Sequence, residues 1–242
     1  MTGPAFALLG SGEFDPWTAP VDEWLTTRPE APGLRVLVIP TACAPEGDGV
    51  FDRWASKGLS HYDSFGIPAE VVPMKTREDA ARPDLIATLE GAAVAFFSGG
   101  NPAYLAGVLR DTPFWDALLE RMARGLAYAG CSAGVVCLGD RALDSARTRI
   151  DGTLWQPGLG VFPTCIFGAH WDALDGYMPG LTDFIVSSVP DGDVLVGIDE
   201  DTAMMGDGTH WRLAGVGGVH ALSDGAWTEH APGSTFDLVL GG

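Results

Sequence analysis

The feature that most constrains the fold is a series of short, almost continuously apolar runs in the first half of the chain. These runs are residues 6–9, 35–39, 70–73, 93–97 and 125–129. Stretches with helical character separate them, at residues 22–27, 50–65 and 83–90, in a helix ending at residue 109, and at 112–124. Strands that are apolar on both faces and alternate with helices are typical of a parallel sheet covered on both sides. The first half therefore predicts an α/β fold.

The second half of the chain predicts a different arrangement. Residues 140–155 are polar and indicate a hairpin or loop, residues 161–170 a strand, and residues 177–188 a helix. Further strands are expected between glycine-rich turns, at residues 194–198, 202–205, 211–213, 219–222 and 236–240. Such short runs favour antiparallel pairing. Because the sequence shows no internal repeat or linker, residues 1–242 are expected to form one domain. This domain should have a mostly parallel sheet and extra antiparallel strands near the C-terminus.

The chain is strongly acidic, with 32 Asp and Glu against 14 Lys and Arg and a formal net charge of -18 at pH 7. A surface of this sign repels phosphate groups, which argues against nucleic acid and against an anionic membrane as partners. The N-terminal apolar run is too short for a signal peptide or a membrane span. Four cysteines lack metal-ligand spacing and predict reduced, buried thiols in a cytoplasmic protein: Cys43, Cys131, Cys137 and Cys165.

A candidate nucleophile lies where the last apolar run ends and a new helical pattern begins, in Gly130-Cys131-Ser132-Ala133-Gly134. Gly-x-Ser-x-Gly between a strand and a helix is the nucleophile-elbow pattern, in which a sharp turn exposes the serine hydroxyl. The N–H of Ala133 then lies beside that hydroxyl, where negative charge develops during acyl transfer. In a chain with 33 glycines the same residues also fit an ordinary turn. Ser132 therefore needs partners before it can be assigned a role.

A second glycine motif, Gly10-Ser11-Gly12-Glu13, follows the first apolar run. Gly-x-Gly after a strand is part of the dinucleotide-binding pattern, but the third glycine is missing and Asp15-Pro16 interrupts any immediate helix. We interpret the motif as a loop and predict no cofactor and no metal. Because loops at the carboxyl ends of parallel strands share one edge, Gly12, Gly100 and Ser132 are expected to lie together.

A serine hydroxyl is a poor nucleophile near neutral pH, so it needs a base and a group that orients the base. Among five histidines, His170 ends an apolar strand and reaches the same predicted edge. His61 lies in a helical stretch and is expected at the surface, and the other three fall in the glycine-rich C-terminal strands. Position along the chain therefore favours His170 as the base.

Several acids could orient His170. Glu200 follows the strand of residues 194–198, and because side chains alternate along an extended chain, only one facing among Asp199, Glu200 and Asp201 should point inward. Three other aspartates compete by their proximity to the elbow: Asp140, Asp144 and Asp151. The residues alone leave this choice open.

An oxyanion hole needs two donors aimed at one point. Ala133 N–H is the first, and the glycine pair before Asn101 lets the backbone approach a substrate closely, with Gly100 N–H as the second. The same segment also fits a tight turn in which Asn101 caps a helix, and both can hold at once.

Four short motifs now occur in order along the chain: Phe97-Ser98-Gly99-Gly100-Asn101, Gly130-Cys131-Ser132-Ala133-Gly134, Gly168-Ala169-His170-Trp171 and Gly197-Ile198-Asp199-Glu200-Asp201-Thr202-Ala203. Over residues 93–206 they resemble the motifs of the aspartyl dipeptidase (peptidase E) and cyanophycinase family of serine peptidases. The resemblance implies a flavodoxin-like three-layer sandwich, similar to class I glutamine amidotransferases, and a Ser-His-Glu triad.

Carried over by motif, the resemblance implies Ser132 as nucleophile, His170 as general base and Glu200 as its orienting acid. Gly100 and Ala133 would donate to the oxyanion. Two further residues of the matched motifs, Asn101 and Trp171, are expected to bind substrate. The order Ser, His, Glu along the chain differs from the Ser, acid, His order of ordinary α/β-hydrolases. A glutamine amidotransferase would carry cysteine at the apex, whereas Cys131 precedes it and is expected to point away.

One departure from the family bears on substrate. The resemblance implies arginine after the catalytic histidine to hold an acidic substrate group, yet residues 171–200 contain no Lys or Arg. Burying a carboxylate without a cation is unfavourable, so strict Asp-X specificity is not expected. Four residues predict a more apolar or aromatic pocket: Trp155, Trp171, Tyr177 and Met178.

The expected function is a dipeptidase-like serine peptidase whose partner is a small peptide or amide substrate, and a homodimer is compatible with the sequence. Two alternatives stay open. One is a non-catalytic member of the fold that binds a small molecule or a partner, and the other is a serine esterase.

Overall fold

The computed structural model describes residues 4–28, 31 and 33–240. In chain order its strands are β1 (Ala5–Leu9), β2 (Arg35–Ile39), β3 (Ala69–Val71), β4 (Ala92–Phe97), β5 (Ala127–Cys131), β6 (Arg141–Leu143), β7 (Trp155–Pro157), β8 (Cys165–Ala169), β9 (Val194–Ile198), β10 (Thr202–Gly206), β11 (His210–Gly215), β12 (Val219–Ser223), β13 (Ala226–His230) and β14 (Thr235–Asp237). Its α-helices are α1 (Ala19–Thr26), α2 (Asp48–Ser64), α3 (Pro83–Ala87), α4 (Pro102–Leu109), α5 (Pro113–Met122), α6 (Ala133–Val136), α7 (Leu174–Tyr177) and α8 (Leu181–Ser187).

Eight strands form a large sheet in the order β14-β11-β10-β1-β5-β4-β2-β3. The five strands from β1 to β3 in this order run parallel, and β10, β11 and β14 add antiparallel pairs beside β1. These parallel strands are the five apolar runs of the first half, so the predicted α/β fold with a mostly parallel sheet is confirmed. The carboxyl ends of β1, β4 and β5 consequently meet at one edge, as expected for Gly12, Gly100 and Ser132.

Both faces of the central strands of the large sheet are buried, because alternate side chains of these strands enter different hydrophobic clusters. In β1, Phe6 and Leu8 belong to one cluster, while Ala7 and Leu9 belong to the other. The first cluster also holds residues of α4 and α5, and the second holds residues of α1 and α2. Helices on both sides therefore complete the three layers.

The two strands that carry His170 and Glu200 at their ends lie outside the large sheet. β8 and β9 pair in parallel and continue through β12 to β13 in a second sheet of four strands. The strand β13 was not predicted from the sequence, because its side chains are mostly exposed and show no apolar alternation. The loops after β8 and β9 nevertheless face the elbow, and this arrangement brings His170 and Glu200 to it.

The hairpin or loop expected over residues 140–155 is a hairpin of β6 and β7, which extends to Pro157. The helix expected over residues 177–188 is interrupted at Pro179 and Gly180, where φ of Gly180 is 83°, so α7 and α8 are separate. No helix among the described residues is both long and apolar enough to cross a membrane.

Candidate active site

Ser132 stands between β5 and α6 in a strained turn. Its φ of 50° and ψ of -105° are rare for a residue with a side chain, and its N–H donates to the carbonyl of Leu9 at 2.9 Å. A Cβ at Gly130 would overlap the carbonyl of Gly134, and one at Gly134 would overlap the carbonyl of Phe97. Only glycine therefore fits at positions 130 and 134, two residues before and two residues after the serine, as the elbow pattern predicts.

The helix after the serine is shorter than the sequence suggested. α6 contains four residues, Ala133–Val136, which is about one turn. A macrodipole grows with the number of aligned peptide units, so this turn offers little beyond its own amides. The group it presents to the serine is the Ala133 N–H rather than a long helix.

The Ser132 hydroxyl and the His170 ring lie within hydrogen-bond distance. Oγ of Ser132 is 3.0 Å from Nε2 of His170, and Nδ1 of His170 is 2.8 Å from Oε1 of Glu200. With the ring proton on Nδ1, the imidazole donates to Glu200 and its Nε2 accepts from the serine hydroxyl. The structure thus brings together the three residues predicted as nucleophile, base and orienting acid.

Of the three consecutive acids after β9, only Glu200 faces His170. Asp199 lies on the opposite side, where its carboxylate contacts Nε2 of His220 at 3.0 Å and accepts from the Gly218 N–H. Asp201 has φ of 49°, and its N–H donates to Oγ of Ser11. As expected, only one of the three acids faces His170, but residues 200–201 form a turn and are not extended, so the turn rather than strand alternation separates them.

Two residues without a predicted catalytic role form hydrogen bonds with Glu200. The side chain of Asp172 accepts the Glu200 N–H at 2.9 Å, and the hydroxyl of Tyr177 lies 3.3 Å from Oε1 of Glu200. The Tyr177 ring also packs edge-on against the His170 ring, with centroids 5.3 Å apart. Partial burial of the phenol, and then the neighbouring Glu200 carboxylate, raise the pKa of Tyr177, so its proton stays available to donate.

The backbone beside Ser132 offers two amides. Gly100 has φ of 142°, and a Cβ there would overlap the carbonyl of Ala42, so the close approach requires glycine. The flanking amides are occupied, since Gly99 donates to Glu13 and Asn101 donates to Ala42. Within the described part of the chain, the Gly100 N–H has no hydrogen-bond acceptor, and the same is true of Ala133 N–H at the start of α6.

A cavity of about 620 Å³ opens at Ser132 and His170. Most of its wall is apolar, and these residues share that character: Val136, Leu143, Leu154, Leu174, Met178 and Leu181. Gly100 and Tyr177 also line it. Of the four residues expected to form an apolar pocket, Tyr177 and Met178 line this cavity, whereas Trp155 and Trp171 line separate ones. The size of the cavity suits a ligand of a few residues.

One ion pair forms part of the cavity wall. Nε of Arg147 donates to Asp144 at 3.0 Å, and the other carboxylate oxygen of Asp144 accepts from the Asn101 amide at 2.8 Å. The Asn101 amide, followed by the Arg147 contact, lowers the pKa of Asp144 against the opposing effect of burial. Among the described residues that line the cavity, Arg147 is the one Lys or Arg.

Asn101 and Trp171, both expected to bind substrate, have other contacts. The Asn101 carbonyl oxygen caps α4 by accepting the Tyr104 N–H, while its amide group bonds to Asp144. The Trp171 ring lies over Gly168 and Gly197 on the second sheet, beside Trp227, and lines a separate cavity. The structure therefore places Trp171 away from the pocket at Ser132. Asn101 instead lies next to this pocket, because its amide donates to Asp144 in the cavity wall.

Within the part of the chain that the structure describes, no group of three or more His, Cys, Asp or Glu side chains is arranged to hold a metal ion.

Part of the chain is similar in sequence to curated cyanophycinases. Cyanophycinase of Trichormus variabilis (strain ATCC 29413 / PCC 7937) is 30% identical over 159 residues, which cover 62% of this chain and 51% of the relative. Cyanophycinase of Synechococcus elongatus is 29% identical over 190 residues, covering 72% of this chain and 57% of the relative. The chain thus spans about half the length of the curated relatives it matches.

Two solved structures are also similar. A peptidase from an acI-B1 Actinobacterium has a TM-score of 0.86 and 29% identity, with 98% of each chain covered. A structure named as a putative peptidase E protein from Listeria monocytogenes EGD-e has a TM-score of 0.63 and 19% identity, covering 88% of this chain and 99% of that chain, which shows a shared fold.

The family model described as peptidase family S51 matches residues 6–214, a range that includes the elbow, His170 and Glu200. This chain therefore belongs to peptidase family S51.

Proposed function

We propose that this chain is a serine peptidase that hydrolyses small peptides through an acyl-enzyme on Ser132. The observation that carries the proposal is the continuous chain of hydrogen bonds from Ser132 through His170 to Glu200, with distances of 3.0 and 2.8 Å. Membership of peptidase family S51 supports the same activity.

In the proposed reaction His170 removes the hydroxyl proton while Ser132 Oγ attacks the substrate carbonyl carbon. The carbonyl oxygen becomes an oxyanion, which the N–H groups of Gly100 and Ala133 stabilise. The imidazolium then donates its proton to the leaving amine, the C–N bond breaks, and an ester to Ser132 remains. Water, deprotonated by His170, hydrolyses this ester and restores the serine. Glu200 keeps the ring proton on Nδ1 throughout.

The cavity supports a substrate class that differs from acidic dipeptides. Its apolar wall, built from residues such as Val136, Leu154 and Leu181, favours an apolar side chain on one residue of the substrate. Arg147 supplies a cation for a carboxylate, which a dipeptide carries at its C-terminus. The proposed substrate is therefore a small peptide with an apolar side chain and a free carboxylate.

Cyanophycin is a less favoured substrate for this chain, although the curated relatives are named cyanophycinases. Those relatives are about twice as long as the matched region. Residues 171–200, where the resemblance implies arginines, contain no Lys or Arg. The substrate named for those relatives is therefore not assigned to this chain.

The described thiols are free and buried, which supports the further proposal of a reducing compartment such as the cytoplasm.

The test is hydrolysis of a dipeptide library by the wild type and Ser132→Ala in parallel. The library includes apolar-X, Asp-X and isoaspartyl members, with cyanophycin and a set of esters as comparison substrates. Removing the nucleophile of a serine peptidase lowers kcat by about a millionfold. Cleavage of apolar-X peptides that disappears in S132A supports the proposal.

Two results would contradict it. Hydrolysis restricted to esters would identify an esterase. If the wild type cleaves none of the substrates and a fluorophosphonate probe does not label Ser132, the chain is a binding member of the family instead.

A further inference from the structure

Glu13 is a buried carboxylate that the proposed reaction does not use. It ends the loop of residues 10–13 after β1, and only 4% of its surface is exposed. Its Oε1 accepts the Gly99 N–H at 2.9 Å, and its Oε2 accepts the Cys131 S–H at 2.9 Å. Neither bond is to a cation, so the carboxylate is held in the interior by two neutral donors. A buried carboxylate with such partners calls for a functional explanation.

Both donors are direct chain neighbours of reacting groups. Gly99 precedes Gly100, whose N–H lies beside the cavity, and Cys131 precedes Ser132. A Cβ added at Gly99 would lie 3.4 Å from Oε1 of Glu13 and 3.5 Å from Cβ of Ser132. Gly99 therefore lies beside both Glu13 and the nucleophile, and one carboxylate joins the ends of β4 and β5.

The same loop also contacts the segment that carries Glu200. The N–H of Asp201 donates to Oγ of Ser11 at 2.9 Å. A Cβ at Gly10 would overlap the carbonyl of Asp199, which explains why this position is glycine. The glycine motif that resembles a dinucleotide loop is thus packed against the segments that follow β4, β5 and β9.

We infer that Glu13 is a positioning residue that holds the Gly99–Gly100 peptide and the elbow in register, so that the Gly100 N–H points at the developing oxyanion. The inference rests on the proposed function. Without Glu13 the Gly99 N–H would be buried with no acceptor, and the flexible glycine pair could rotate to find one. Rotation of that peptide would turn the Gly100 amide away from the substrate.

The state of the Cys131 thiol decides which substitution preserves these bonds. Burial, and then the neighbouring Glu13 carboxylate, raise the pKa of Cys131 well above its usual range, so the sulfur keeps its proton and donates. A glutamine side chain has one acceptor and one donor group where glutamate has two acceptors. Because the Gly99 N–H can only donate while sulfur can also accept, the amide introduced by E13Q would direct its oxygen to Gly99 and its NH₂ to Cys131.

The experiment compares the full-length wild type with Glu13→Ala, Glu13→Gln and Ser132→Ala. For each protein, kcat and KM are measured on the best dipeptide of the library, together with the second-order rate of Ser132 labelling by a fluorophosphonate. Asp22→Ala is the matched control, because Asp22 is a buried carboxylate with three side-chain partners, Thr18, His61 and Tyr62, and does not line the cavity. Thermal midpoints and amide exchange at Gly99 are recorded for every variant.

Loss of an oxyanion donor lowers kcat by about 10²- to 10³-fold, so its misplacement in E13A should lower kcat and labelling by about 10- to 100-fold. KM should change by less than about threefold, since the ground-state carbonyl depends less on the oxyanion donors than the transition state does. We expect E13Q to recover most of the rate and E13A to exchange the Gly99 amide faster. D22A should lose thermal stability while keeping kcat, which separates positioning from general destabilisation.

If E13A does not fold, Glu13→Asp replaces it, because the side chain shortened by one methylene cannot reach both partners and kcat should again fall. The inference is overturned if E13A or E13D keeps the kcat of the wild type, or if E13Q is as slow as E13A. In either case, labelling of Ser132 in the wild type still supports the proposed function. Absence of labelling and cleavage in the wild type overturns both.

Discussion

The hydroxyl of Tyr177 lies 3.3 Å from Oε1 of Glu200, on the same carboxylate oxygen that bonds to His170. Because Tyr177 is 66% exposed, water can take the place of its hydroxyl. We expect Tyr177→Phe to lower kcat/KM by no more than about fivefold, which is the scale of one weak hydrogen bond. Tyr177→Ala also removes the ring beside His170 and should be slower. A drop of several hundredfold in Y177F would show that the phenol takes part in proton transfer.

Replacing the orienting acid separates its role from that of its neighbour. Glu200→Gln should lower kcat by about 10³- to 10⁴-fold, since an amide stabilises the wrong tautomer of His170 and cannot support the imidazolium. Asp199→Asn leaves Glu200 in place and weakens the contact to His220, so it should lower the thermal midpoint much more than kcat. Steady-state kinetics and thermal unfolding of both variants check this. Equal losses of kcat in the two would contradict the assignment of Glu200.

Asp144 should make stability depend on acid pH. Its pKa in the folded protein lies below the ordinary value of 3.8, chiefly because the Asn101 amide donates to the ionised form. A lowered pKa means that the stabilisation is fully present above 3.8 and disappears as the pH falls through the folded value. The free energy of unfolding of the wild type minus that of Asp144→Asn, from urea titrations, should thus be constant above about pH 5 and shrink below it. A difference that grows with acidity would contradict this sign.

The parallel strands could be predicted from sequence because β1, β2, β4 and β5 are almost continuously apolar, as strands buried on both faces are. The sheet to which a strand belongs could not be predicted in the same way. The apolar run of β8 looks like the runs of the large sheet, and only its pairing with β9 places it in the second sheet.

His61 shows that the burial of a single residue is also hard to predict. It was expected at the surface, but 7% of its side chain is exposed and it pairs with Asp22 at 2.8 Å, so that prediction was wrong.

The same distinction applies to the site. Ser132 and His170 could be identified from a local signal, because each follows an apolar run at its carboxyl end. The residues alone left Glu200 among several candidate acids, and only the resemblance to the family singled it out. The role of Glu13 depends on partners 86 and 118 positions away, at Gly99 and Cys131, and no local pattern carries that information. The sequence offered only the glycine motif that precedes Glu13.

The four thiols should resist modification in the native protein. All are buried, and burial raises the pKa of Cys43 to about 11 and that of Cys137 to about 12. At pH 8 the thiolate fraction of Cys43 is then about one in a thousand, and access is blocked as well. An aromatic disulfide reagent should find no fast-reacting thiol before denaturant is added and four afterwards. Rapid native reaction of one thiol would reveal local opening around it.

Arg147 should set the preference for substrates with a free carboxylate. A hydrogen bond to a charged group contributes about 1.5–3 kcal/mol, which corresponds to roughly 10- to 100-fold in kcat/KM. We expect Arg147→Met to lower kcat/KM by this factor for an apolar dipeptide, and to have little effect on the same peptide with a C-terminal amide. Arg82→Met is the matched control, because Arg82 pairs with Asp84 on the exposed surface away from the cavity. Equal losses on the acid and the amide in R147M would show that Arg147 supports the cavity wall through Asp144 and does not bind the carboxylate.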